Sequence, residues 1–118
     1  MILSNDLECF PLRLRVQSGE YLFAGSDDIL LIETQGRYIK IYFDCCNEVK
    51  FALRACSLEK IIVHLPPGKF VRLCRFYMIN MMRLKVADSP RARVIFGGGL
   101  VVSLKHIVPH AAWNQVGF

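Results

Sequence analysis

The sequence predicts a mostly β domain carrying one short amphipathic helix at about residues 57–65. Three observations lead there. Apolar residues alternate with polar ones at period two along most of the chain, the strand signature. Turn signals such as Ser18-Gly19-Glu20, Gln35-Gly36 and Gly97-Gly98-Gly99 cut that pattern into short pieces. Only one stretch, Ser57–Leu65, changes to helical spacing.

The first strand is Leu12-Arg13-Leu14-Arg15-Val16, with leucines on one face and arginines on the other, and Tyr21-Leu22-Phe23 returns after the turn. Ile29-Leu30-Leu31-Ile32-Glu33-Thr34 is nearly continuous in apolar character, as suits a strand covered on both faces. After Gly36, Ile39, Ile41 and Phe43 share one face while Tyr38, Lys40 and Tyr42 share the other. Val49–Leu53 pairs back.

In the helix, Leu58, Ile61, Ile62 and Leu65 fall at i, i+3, i+4 and i+7, and are expected to pack on Ile39, Ile41 and Val71. Ser57 is suited to cap the first free N–H groups, Glu59 suits the positive dipole end, and Pro66-Pro67-Gly68 stops the helix. Strand character returns at Phe70–Leu73, Tyr77–Ile79, Arg93–Phe96 and Leu100–Leu104. The three glycines form a hairpin turn between the last two. Lys105–Asn114 is expected to form one helical turn interrupted at Pro109. With 118 residues and no linker or repeat, the whole of 1–118 reads as a single domain.

Apolar residues at 53% exclude a disordered chain. No apolar run approaches the roughly 18 residues a spanning helix needs, and the first six residues lack a basic, apolar signal pattern. The expectation is a small soluble intracellular domain. The net charge of +5 is unevenly placed: residues 1–34 hold two basic against six acidic residues, and residues 35–118 hold thirteen against four. A lobe that basic attracts phosphate. The five cysteines have no metal-motif spacing and read as reduced, packed thiols. His106 and His110 stand four apart but are separated by Pro109, and Asp88 is the last acid, so neither a metal site nor a catalytic pair is expected. No cofactor and no enzymatic activity are expected.

The order of landmarks resembles the LytTR DNA-binding domain of bacterial transcription regulators over about residues 11–112. The family pattern "I-x-x-I-E…G-x-Y" is matched by Ile29, Ile32, Glu33, Gly36 and Tyr38. The following "L-P…F-x-R-x-H-R-S-Y-x-V-N" is matched by Leu65-Pro66 and by Phe70, Arg72, Arg75, Tyr77 and Ile79-Asn80. The resemblance implies small antiparallel sheets with one short helix. It also implies binding to promoter direct repeats through loop side chains in successive major grooves.

Carried over by residue, the first DNA-facing loop is Gln35–Tyr38, with Arg37 and Tyr38 at its tip. The second holds Arg75, and the third runs over Ser103–His106, with Lys105 where the family usually has Arg. Independently, Arg can donate two hydrogen bonds to guanine, and Lys40, on the tyrosine-bearing strand face, can meet phosphate. Tyr42 is equally well explained by cross-strand packing, and Arg72 by covering a sheet edge.

Cys74, Phe76 and Leu104 depart from the family's His, Ser and Arg. They leave open a second reading, a protein-interaction or regulatory module with weakened DNA binding. The family usually adds a receiver or membrane segment. About ten residues precede the first strand, so neither is expected, nor is membrane insertion. The expected partner is double-stranded DNA in the cytoplasm, with a second copy on an adjacent repeat, RNA polymerase or a regulatory protein as further candidates.

Overall fold

A five-stranded antiparallel sheet divides the interior into two separate apolar cores. It belongs to a computed structural model that describes residues 10–117; Cys9 lies outside them. The strands are β1 (Leu12–Arg15), β2 (Tyr21–Ala24), β3 (Ile29–Gln35), β4 (Tyr38–Cys45) and β5 (Glu48–Arg54), then β6 (Phe70–Leu73), β7 (Tyr77–Asn80), β8 (Leu84–Asp88), β9 (Arg93–Phe96) and β10 (Val101–Ser103). Helix α1 (Leu58–Ile62) follows β5, and a helical turn, α2 (Asn114–Gly117), closes the described chain. The central sheet has the order β5-β4-β3-β7-β6, flanked by a β1-β2 hairpin and a β10-β9-β8 sheet.

Strand alternation sends side chains to two faces. Ile39, Ile41 and Phe43 of β4 join Leu12 and Leu14 of β1 and Leu58 and Ile61 of α1 on one side. Leu73, Tyr77 and Ile79 join Val94, Phe96, Val102 and Trp113 on the other. Strand β3 feeds both. An extra residue near Leu30 opposes β4, a bulge that shifts the pairing between Ile29 and Leu31. It turns Leu30 and Leu31 both toward the second core, while Ile29 and Ile32 enter the first. The unbroken apolar run of the sequence is thus used on both faces.

Several sequence expectations need correction. Helix α1 stops at Ile62 rather than 65. Ser57 caps it, its Oγ accepting from Lys60 N–H at 3.4 Å. Leu65, however, directly precedes proline, which disfavours α geometry, so the chain tightens to i+3 hydrogen bonds at His64 and Leu65. Leu58, Ile61 and Leu65 are buried as expected, but Ile62 only partly so. Val71 faces the second core, because on β6 its neighbour Phe70 takes the α1 side.

Strand β8 has no counterpart in the sequence reading, since Lys85 and Ala87 dilute its alternation and Val86 is exposed. Pro109 does not interrupt a turn but begins one: it has no N–H to lose, and a 3-10 turn (His110–Trp113) and then α2 follow it.

Candidate nucleic-acid interface

Three chain segments meet at one end of the central sheet. The first is the β3–β4 turn. Gln35 pairs with Tyr38, leaving Gly36 and Arg37 as a two-residue hairpin loop. Gly36 takes φ +61, the positive value that such a loop demands at its first position. Nothing lies within 4 Å of where its Cβ would be, so the requirement is one of backbone conformation alone. Arg37 and Tyr38 stand exposed at the tip.

The second segment is the β6–β7 loop, Cys74-Arg75-Phe76. Arg75 is exposed and its guanidinium lies 5.8 Å from the Phe76 ring centroid. Arg72 braces this loop from behind. Its Nη2 donates to the Arg75 carbonyl at 3.0 Å and to Glu59 Oε2 on α1 at 2.6 Å. That hydrogen bond holds the Glu59 carboxyl below its usual range. Arg72 is therefore occupied within the fold.

The third segment leaves β10 at Ser103, which is exposed and paired with Arg93, and passes through Leu104, Lys105 and His106. Leu104 is buried in the second core, Lys105 is exposed, and His106 turns inward.

His106 ties the three segments together. Its ring stacks on Phe76 with centroids 3.8 Å apart and planes 9° from parallel. Its backbone N–H donates to Tyr77 Oη at 3.0 Å, and its Nε2 donates to the Thr34 carbonyl at 3.2 Å. The Thr34 N–H in turn donates to the Phe76 carbonyl at 2.8 Å. Tyr77 is fully buried, and burial above all pushes its phenol up to about 12, with Glu33 adding to the rise. It stays neutral as a fixed partner for His106.

This clasp sets the backbones carrying Arg37, Arg75 and Lys105 side by side. Among the described residues, none of those three cations is in a salt bridge. Lys40 lies two residues further along β4, on the same strand face as Tyr38. Its ammonium rests 4.2 Å from the Phe51 ring centroid and 4.9 Å from that of Tyr42, and buried Glu33 pairs with Lys40 in register. Tyr42 packs partly against the second core.

Sequence reasoning did not identify Thr34, Phe76 or Tyr77 as the pieces that hold the loops. Phe76, standing where the family has Ser, is the platform for His106. Leu104, standing where the family has Arg, is a core side chain. No single-sequence signal carries the Phe76–His106 stack, because its partners lie thirty residues apart, one in the β6–β7 loop and one after β10.

The three antiparallel sheets and short helix α1 make up a LytTR-like fold, as the comparison with solved structures shows. No family model matches the sequence, and no curated protein matches it. Among solved structures, the chain is similar to one described as the LytTr DNA-binding domain of a methyl-accepting/DNA response regulator from Bacillus cereus. The TM-score is 0.60 at 16% identity, over 77% of this chain and 82% of that one. Among the described residues, no helix is long and apolar enough to cross a membrane.

Proposed function

We propose that the chain binds double-stranded DNA through the loop end of its central sheet, acting in a cytoplasmic bacterial transcription regulator. The observation that carries this reading is the convergence of Arg37, Arg75 and Lys105, none of them in a salt bridge among the described residues, on segments locked by one clasp. The likeness to a DNA-binding domain supports it. Cations not engaged with carboxylates are available to phosphate and to base edges.

Arg37 and Arg75, at loop tips, are suited to bidentate contacts with guanine in successive major grooves. Tyr38, Lys40, Ser103 and Lys105 supply donors for phosphate oxygens, and His106 holds Lys105 in position. Direct repeats in a promoter would place a second copy on the adjacent site, with RNA polymerase or a regulatory protein as a further partner.

The alternative, a protein-interaction module, draws on Cys74, Phe76 and Leu104, whose side chains offer weak polar contacts or none. Selection of duplexes from a random pool separates the two. The DNA reading expects enrichment of a defined sequence whose binding weakens steeply with salt. Failure to enrich any sequence at low salt favours the alternative.

A further inference from the structure

Ile107 is 92% exposed, the highest value among the large apolar side chains of the described residues. Its two neighbours are anchored to the fold. On one side His106 is fixed by the Phe76 stack and by hydrogen bonds to Thr34 and Tyr77. On the other, Val108 packs against the second core and Pro109 restricts the backbone. Ile107 is thus displayed to solvent two residues after exposed Lys105, in the segment that the His106 clasp ties to the cation-bearing end, and its β-branched side chain has few χ1 states. An apolar group presented this way loses little conformational freedom on binding and gains by leaving water.

A duplex offers one apolar group in its major groove, the C5-methyl of thymine. Building on the DNA-binding reading above, we propose that Ile107 is a specificity-determining residue that contacts a thymine methyl next to the phosphates or bases met by Lys105. The segment then has two parts: Lys105 supplies charge that is indifferent to sequence, and Ile107 supplies a preference for thymine at one position.

The test replaces each thymine of the selected duplex, one at a time, by deoxyuridine, which removes only the methyl group. Affinities for wild type, Ile107→Ala and Lys105→Ala follow from fluorescence anisotropy. Wild type should lose about fourfold at one thymine, the value of roughly one buried methyl group. Ile107→Ala should bind thymine and deoxyuridine equally at that position and keep the wild-type profile elsewhere. Lys105→Ala should weaken every duplex by a similar factor while retaining the thymine preference. Identical deoxyuridine profiles for wild type and Ile107→Ala overturn the proposal and leave DNA binding standing. Wild type that binds no duplex at low salt overturns both.

Discussion

The two ends of the central sheet are built from similar residues used in opposite ways. At the end where β3 begins, charges and amides are engaged within the protein. Lys69 meets Asp27 at 3.1 Å, and Arg83 meets Asp44 at 3.3 Å while also donating to the Asp27 carbonyl. Buried Asn80 donates to the Ile29 carbonyl at 2.8 Å and accepts from Met82 N–H at 2.9 Å. At the end where β3 finishes, the loops are held by backbone and side-chain hydrogen bonds, a ring stack and the Arg72–Glu59 pair, and Arg37, Arg75 and Lys105 make no salt bridge with the described residues. Cations that neutralise carboxylates serve the fold, while under the DNA-binding proposal the three cations outside any such pair are available to a polyanion.

If that division is real, substitutions at the first end change stability and those at the second change affinity. The largest effect is expected for Asn80→Ala. It strands the Ile29 carbonyl and the Met82 N–H, and should cost about 3 kcal/mol in urea denaturation. The folded fraction should bind DNA as wild type does. Arg75→Ala should do the reverse, costing ~1–3 kcal/mol of binding on the selected duplex and much less on a scrambled one. Its thermal midpoint should stay at the wild-type value. Equal losses on both duplexes would make Arg75 a phosphate contact instead.

Tyr77 sharpens the comparison from beneath the loop end. Its phenol sits at about 12 in the folded protein against an ordinary 10, so the native state holds the proton longer than the unfolded chain does. The resulting stabilisation is complete below pH 10 and is lost as pH rises toward 12. Ultraviolet titration of the four tyrosines should show one late-ionising group, and Tyr77→Phe should remove that late step. The smallest effect is expected for Lys40→Ala, which should lower affinity for all duplexes alike and reduce the salt slope by about one. Phe51 and Tyr42 already share its charge, so a slope left unchanged would assign Lys40 to cross-strand packing.

Much of this architecture was legible in the chain because strand alternation and turn chemistry are local. The Gly36 and Gly97-Gly98-Gly99 hairpins, the two faces of β4 and the Ser57 cap follow from neighbouring residues. Helix α1 came out too long because apolar spacing continues to Leu65, whereas the conformational veto of Pro66 reaches back over the last turn. Strand β8 was missed because an edge strand with one thin apolar face leaves almost no periodic signal.

The loop end was half legible. The cations could be placed on turns, but the contacts that align them join Thr34, Phe76 and His106 across long separations. The residues that depart from the family pattern have partners that lie far away in the sequence. In the fold, Phe76 and Leu104 pack, and Cys74 takes the positive φ that starts the Arg75 loop.

The most direct test of the division between the two ends is an amide chemical-shift titration of the 118-residue chain with its selected duplex. The account predicts that shifts concentrate at Gly36, Arg37, Tyr38, Arg75, Phe76, Lys105 and His106. Amides of Asp44–Glu48, Lys69 and Arg83 should stay in place. Shifts clustered at that opposite end, or on the exposed Arg13, Arg15, Tyr21 and Phe23 face of the β1-β2 hairpin, would contradict it.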